Sequence, residues 1–410
     1  RDYPDRIALN WIEVEYSRNY VALNNTLTFK NSSDALGNVK EYQLSDFTSD
    51  SIEIWDITKS RHFNDIILVN QTNSGKSTRK FTAIFQDSIA SNSTYFASAG
   101  NSFLKPEFMS LDTIVSEWQA YANADYIIIS ADSLRETFEP LIKCHTRNGL
   151  KTIFAAIEDI YNRFSSGIKD PESIRTFLKY ICSRGGHVPR YLLLGGDTTH
   201  DLDKKNRSRN IVPTHLSRIP GWGPAADDGY FTTVIGEDDF PDIIIGRFPA
   251  QNKTELKTLV DKTVNYINKP DRGFWRDNVL LLGGGESVFS AFNTYVQSTV
   301  IGNKMNITRL DADSGSYFYK DGFIAPKLIA DNINTGVLFV NFNGHGGGNI
   351  WSDNNFFGYK DLNRLYNGQW GTGGRLPVIF SFTCLTGFFE SVSYRSLGEE
   401  FIRTDRNGAI

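Results

Sequence analysis

Val337-Leu338-Phe339-Val340-Asn341-Phe342-Asn343-Gly344-His345-Gly346-Gly347-Gly348 changes character at one point, where an apolar strand gives way to asparagine, histidine and glycine. A second stretch does the same: Pro377-Val378-Ile379-Phe380-Ser381-Phe382 runs into Thr383-Cys384-Leu385-Thr386-Gly387. Short, nearly continuous apolar runs of this kind are strands covered on both faces, the mark of a parallel sheet between helices. Working outward, Val279 to Leu282 ends in Gly283-Gly284-Gly285-Glu286, and Tyr191 to Leu194 ends in Gly195-Gly196-Asp197. Tyr126 to Ile129, Lys151 to Ile157 and Ile243 to Ile245 add further strands. Between them lie helical stretches. One starts at Asp170-Pro171 with Ile174, Phe177, Leu178 and Ile181 on one face, and another runs from Thr254 to Asn268.

The alternation of strand and helix predicts an α/β fold with two parallel-sheet subdomains, the first over residues 109–270 and the second over 271–410, with Lys269 to Gly273 as the linker. Residues 1–108 read differently. Ile7 to Tyr16, Ser51 to Ile57 and Phe81 to Phe85 alternate apolar and polar residues between turn clusters, which predicts a β-sandwich-like module. A chain of 410 residues exceeds what one hydrophobic core sustains, in keeping with this division. It opens without methionine or signal segment and stops as an apolar strand begins at Ala409-Ile410, so the C-terminus reads as truncated.

Composition narrows the function. Forty-three basic against 47 acidic residues give a net charge of −4, too little positive field for a general nucleic-acid binder. No apolar run approaches the ~18 residues of a membrane-spanning helix. Three cysteines, Cys144, Cys182 and Cys384, cannot form a disulfide framework and lack metal-ligand spacing.

Ligand sites in parallel sheets lie off the carboxyl ends of strands. His345 and Cys384 occupy two such ends, 39 residues apart, and an imidazole beside a thiol is the pair that nucleophilic catalysis needs. Taken singly, a histidine between glycines is a turn residue and a cysteine after a strand is an inert core residue; together they make one mechanism. Cys144 and Cys182 fall in helical stretches and read as packing residues.

Strand-His-Gly followed by strand-x-Cys is shared by caspases, legumains, separases and gingipains. Asn341 to Gly346 with Trp351 following, Leu376 to Phe380 before Cys384, and Ser396 to Phe401 resemble the gingipain family of cysteine peptidases. The likeness extends through Tyr191 to Asp197, Asp227 to Tyr230 and Ile245 to Pro249, and so covers roughly residues 124–410. The N-terminal region, with Ile7 to Tyr16, is similar instead to the PorU-like sortase branch of type IX secretion. The resemblance implies a caspase-like fold and a secreted or outer-membrane-surface bacterial enzyme that cuts peptide or protein substrates, with secretion-machinery proteins as partners of the sortase branch.

By the same resemblance, Cys384 is the nucleophile, His345 the proton carrier and Glu286 the carboxylate that orients the imidazole. The backbone amides of Gly346 and Cys384 form the oxyanion hole. Gingipains that cut after Arg or Lys keep an acid shortly after that glutamate, but Ser287 to Gln297 contains none. A buried cation without a counter-ion is costly, so a pocket lined by Asn343, Phe382 and Trp351 is expected to take small or uncharged P1 residues. The alternative reading is a non-catalytic peptide-binding scaffold of a secretion complex that keeps the peptidase fold.

No cofactor is required by this chemistry. The resemblance allows structural calcium, for which Asp197, Asp201 and Asp203, or Glu237, Asp238, Asp239 and Asp242, are candidate oxygen ligands without EF-hand spacing. His145, His187, His200 and His215 lack paired zinc spacing, and Gly283-Gly284-Gly285 belongs to no phosphate-binding motif.

Overall fold

Strands rich in Ile, Leu and Val on both faces persist only when both faces are covered, and the burial of β8 (Tyr126–Ser130) meets that condition: Ile127, Ile128 and Ile129 are all fully inaccessible. The computed structural model describes residues 14, 16–31, 37–71, 79–89, 92–102, 121–185, 187–200, 209–221, 223–312, 324–351 and 356–410. The chain divides into two units, Arg1–Asp112 and Thr113–Ile410.

In the first unit, strands β1 (Thr26–Lys30), β2 (Val39–Phe47), β3 (Ile52–Asp56), β4 (Arg61–Phe63), β5 (Ile67–Gln71), β6 (Lys80–Ser88) and β7 (Thr94–Ala99) form two antiparallel sheets, ordered β1-β7-β3-β4 and β2-β6-β5. The alternation read at Ser51 to Ile57 appears directly, with Ile52, Ile54 and Asp56 buried and Glu53 and Trp55 exposed. Leu27, Tyr42, Leu44, Phe85 and Tyr95 share one core. The expected strand at Ile7 to Tyr16 lies almost wholly outside the described residues.

The second unit contains two four-stranded parallel sheets. The first is ordered β13-β10-β8-β9, with β9 at Thr152–Ala156, β10 at Tyr191–Gly195 and β13 at Ile244–Phe248. Helices α1 (Arg135–Arg147), α2 (Ile157–Phe164), α3 (Glu172–Gly185) and α4 (Lys253–Asn268) accompany it. Asp170 caps α3 by accepting from Glu172 N–H at 3.0 Å, and Asn252 caps α4 by accepting from Glu255 N–H at 3.0 Å. The four apolar residues read on the α3 stretch, Ile174, Phe177, Leu178 and Ile181, are fully buried against β8 and β10 residues. Cys144 is buried in α1, and Cys182 lies half-buried in α3 with its thiol pushed up to about 11 by burial and by Asp242. A hairpin of β11 (His215–Ile219) and β12 (Gly223–Asp227), unforeseen from the sequence, precedes β13.

The second sheet is ordered β15-β14-β16-β20, with β14 at Asn278–Gly283, β15 at Asn306–Asp311, β16 at Phe339–Asn343 and β20 at Val378–Phe382. Helix α5 (Ser287–Tyr295) runs into a π-helical turn, Val296–Ile301; α6 (Ile324–Thr335) and α7 (Leu397–Arg403) complete this half. Short strands β17 (Gly346–Gly347), β18 (Ile350–Trp351) and β19 (Phe357–Gly358) fold beside β16. One core joins Leu280, Leu282, Val340 and Phe342 of the sheet to α6 and α7. No helix among the described residues is long and apolar enough to cross a membrane.

Candidate active site

Parallel pairing fixes which residues leave the second sheet side by side. Gly283 of β14 pairs with Asn343 of β16, and Asn343 pairs with Phe382 of β20. His345 and Cys384 therefore each stand two residues beyond a mutually paired couple, on strands about 4.8 Å apart. Glu286 stands three residues beyond Gly283 on the other flank of β16. The strand order thus sets acid, imidazole and thiol in a row.

The first two members of that row are in contact. His345 Nε2 lies 2.6 Å from Glu286 Oε1, with the two side chains 52% and 61% exposed. Glycines permit the approach: a Cβ on Gly284 would stand 3.0 Å from Gly344 Cα, so the turns that carry Glu286 and His345 pass backbone against backbone. Phe289, one turn into α5, meets the imidazole edge-on at 5.3 Å, and its N–H donates to Glu286 O at 3.1 Å. Cys384 is exposed. This is a solvent-accessible row of groups suited to attack by a thiol with proton transfer by an imidazole.

The expected pocket needs correction. Trp351 is only 1% exposed; its ring stacks on Phe342 at 4.8 Å and its Nε1–H donates to Ser381 Oγ at 2.8 Å. It is a core residue rather than a pocket wall, because β18 folds back on Gly346 and turns the indole onto the sheet. Asn343 is also interior, 5% exposed and donating to Asn293 Oδ1 at 2.9 Å. Asn293, fully buried, accepts from Asn341 as well and donates to Asp311 Oδ1 at 2.9 Å, so it ties α5 to two strands, β15 and β16. Phe382, at 56% exposure, does face a groove. That groove, about 400 Å³, runs along the sheet face beneath α5 and the π-turn, lined by Leu281, Phe292, Val296, Phe339, Phe380 and Phe382 among others, with Lys304 its one charged residue among those described.

The segment after Cys384 is held by α7, a stretch already singled out in the sequence, and by Glu390 and Arg209, which were not. The first two amides of α7 reach the turns that follow His345 and Cys384: Leu397 N–H donates to Gly348 O at 2.7 Å and Gly398 N–H to Thr386 O at 2.9 Å. Glu390, 2% exposed, accepts from Ala226 N–H of β12 at 2.8 Å, and burial raises its carboxyl above the usual range. Arg209 donates to Ser391 O at 3.2 Å and to Val392 O at 3.3 Å.

Behind this segment lies a cluster of charge. Arg403 of α7, 8% exposed, has carboxylate oxygens of Glu399, Asp197, Glu255 and Glu400 within 3.4–3.9 Å. Arg395 donates to Glu255 Oε1 at 2.7 Å. Burial raises Glu399 to about 7 and also raises Asp197, though Arg403 opposes both shifts. For Glu255, burial pushes upward, but the Gln251 N–H, Arg403 and Arg395 outweigh it and leave the carboxyl below its ordinary value.

The calcium candidates fall out differently. Asp197 Oδ2 faces two guanidinium groups, Arg209 at 3.5 Å and Arg403 at 3.6 Å, which is an environment for an anion's partner and not for a cation. Asp201 and Asp203 lie outside the described residues. In the second cluster, Asp242 accepts from Val234 and Ile235 N–H, and Asp238 accepts from Phe240 N–H, so both cap their own loop. Among the described residues no group of three or more His, Cys, Asp or Glu is disposed to hold a metal ion.

Comparison with known proteins identifies the family. Residues 119–410 match the model of peptidase family C25. Gingipain R2 of Porphyromonas gingivalis is 26% identical over 328 residues, covering 78% of this chain and 40% of that protein. Lys-gingipain of the same organism is 29% identical over 172 residues, covering 40% of this chain and 9% of that protein. The chain thus spans about two fifths or less of the length of these curated relatives. The crystal structure of the Arg-specific cysteine proteinase gingipain R superimposes with a TM-score of 0.54 at 22% identity, over 70% of this chain and 61% of that one, which establishes the shared caspase-like α/β fold. With the family model matched across both sheets of the second unit, the chain belongs to peptidase family C25.

Proposed function

We propose that this chain is a thiol endopeptidase that cleaves peptide bonds through a thioester on Cys384. The observation that carries the proposal is the alignment of Glu286, His345 and Cys384 on adjacent parallel strand ends, with the acid and the imidazole 2.6 Å apart. Cys384 Sγ gives its proton to His345 and attacks the scissile carbonyl, and the amides of Cys384 and Gly346 stabilise the oxyanion, donors of this kind contributing roughly 3 kcal/mol each. Collapse expels the amine, which takes its proton from His345. Water, or an amine acceptor in a sortase-like variant of the reaction, then gives a proton to His345 and attacks the thioester, whose C–S bond breaks to release the acyl product as the proton returns to Cys384 Sγ. Glu286 holds Nε2, which orients the ring and stabilises the imidazolium between the two steps.

The P1 preference follows from the groove at Phe382. Among the described residues its lining is apolar apart from Asn341 and Lys304 and contains no carboxylate, so one cation already stands at the groove. A second cation entering there finds no counter-ion, so the preferred P1 residue is uncharged. The family and this exposed site together support an enzyme acting on peptide or protein substrates at a bacterial surface or outside the cell.

The test is labelling with peptidyl electrophiles that capture thiolates, one with an uncharged P1 residue and one with Arg, mapped by mass spectrometry in wild type, Cys384→Ala and His345→Ala. The expected result is an adduct on Cys384 with the uncharged probe, lost in Cys384→Ala and slowed in His345→Ala. Labelling that is indifferent to His345, or spread over Cys144 and Cys182, favours the peptide-binding scaffold instead.

A further inference from the structure

We infer that Asp197 is a positioning residue for the nucleophile segment: one buried carboxylate at the end of the first sheet that fixes, through Arg209, the middle and, through Arg403 and α7, the ends of the chain between Cys384 and α7. Asp197 follows β10 directly and is 0% exposed. Its Oδ1 accepts from Thr198 N–H at 3.0 Å, which aims Oδ2 between the two guanidinium groups, 3.5 Å from Arg209 and 3.6 Å from Arg403.

Each arginine acts on a different part of the segment. Arg209 holds the carbonyls of Ser391 and Val392. Arg403 belongs to α7, whose first two amides hold Gly348 O of the histidine turn and Thr386 O of the cysteine turn. Asp197 therefore connects the first sheet to a lever whose far end touches both halves of the catalytic pair. The charges make the connection directional. Arg403 keeps Glu255, Glu399 and Glu400 as neighbours whatever happens at Asp197. Among the described residues, Asp197 is the one carboxylate within 4.0 Å of Arg209. A largely buried guanidinium that loses its counter-charge moves toward water, and Arg209 takes its two carbonyl contacts with it.

The inference rests on the thiol-peptidase reading for its kinetic consequence and on geometry alone for its structural one, so the experiment reads both. In the full chain, Asp197→Asn keeps the acceptor for Thr198 N–H and removes the charge. Hydrogen exchange measured by mass spectrometry over residues 385–396, whose amides include Phe388, Phe389 and Ser391 bonded within the segment, is expected to quicken by about tenfold or more, while exchange in β8 and β10 stays at the wild-type rate. On the uncharged-P1 substrate, kcat falls about tenfold or more with KM within about twofold, since a displacement near 1 Å costs up to about a hundredfold. Alkylation of Cys384 by iodoacetamide, which needs an accessible thiol but no oxyanion hole, stays within about twofold.

Unchanged exchange over 385–396 overturns the inference whatever the activity does. Quickened exchange with wild-type kcat overturns the positioning role in the reaction. If wild type itself neither cleaves nor labels, the peptidase reading fails and the exchange arm still decides whether Asp197 holds the segment. Should Asp197→Asn fail to fold, Arg209→Lys, which keeps the charge but loses the fork to two carbonyls, carries the same test, with quickened exchange confined to 388–392.

Discussion

Replacing Glu286 by Gln removes one charge and leaves the hydrogen-bond geometry, because the amide oxygen still accepts from His345 Nε2. The pair is 2.6 Å apart and more than half exposed on both sides, so its electrostatics are those of a water-like medium. Coulomb's law then gives about 1.6 kcal/mol at that separation, or about fifteenfold in rate if the whole term acts on the imidazolium that forms as the thiol gives up its proton. The fold should hardly notice: exposed ion pairs contribute about 0–1 kcal/mol to stability. The assay is kcat/KM on an uncharged-P1 peptide, run beside a thermal melt. The expected outcome is a loss between about fivefold and fiftyfold with Tm shifted by no more than a few degrees. A loss beyond about a thousandfold would refute the water-like setting and make Glu286 a carrier of the proton itself. A loss under about twofold would remove the ion pair from the reaction path.

Two further outcomes follow from residues around the site. Gly346→Ala drives a Cβ into Thr383 Oγ1 and puts it 3.2 Å from Ile350 O, so the histidine turn must move away from the residue that precedes Cys384; kcat/KM on the same peptide is expected to drop at least about tenfold. Stability should pass through a minimum near neutral pH, read as Tm from pH 5 to 10. Glu399, raised from 4.5 to about 7 mainly by burial, favours the folded chain while protonated, and that contribution is full below pH 4.5 and gone once pH has risen through about 7. Lys262, lowered from 10.5 to about 7 by burial where its ammonium donates to Thr404 O and Asn407 O, costs stability while charged, and the cost is relieved as pH climbs from about 7 toward 10.5. Glu399→Gln should flatten the acid limb and Lys262→Met the alkaline limb; a flat wild-type profile would contradict both assignments.

Much of this candidate site could be read in the sequence because each of its three groups lies two or three residues past a strand rich in Val, Ile, Leu or Phe, and such strands announce both their own buried faces and the end at which chemistry collects. The order of those strands was beyond reach. Nothing local in Val279 to Glu286 says that β14 sits on the far side of β16 from β20, yet that order is what brings Glu286 to His345 and not to Cys384. Trp351 misled for a related reason: past the glycines of 346–348 the two-residue period is lost, and only the pairing of Trp351 with Gly346 decides that the indole turns inward onto Phe342. Asp197 reads as a loop acid beside other loop acids. Its actual partners lie 12 and 206 residues along the chain, and long-range ion pairs leave no periodic trace in sequence.

The shared register of β16 and β20 makes the sheet a ruler for the active site. Because Asn343 and Phe382 are level, what matters is how many residues separate each catalytic group from the paired part of its own strand, and not how many separate histidine from cysteine. The intervening chain, which among its described residues holds three short strands and two short 3-10 helices, should accept length changes in its loops without moving either group. A single insertion between Val378 and Cys384 is another matter: it would carry the thiol about 3.3 Å along the strand and turn it to the opposite face of the sheet. Tolerance to length change along this half of the molecule should therefore fall sharply within two short windows and be broad everywhere between them.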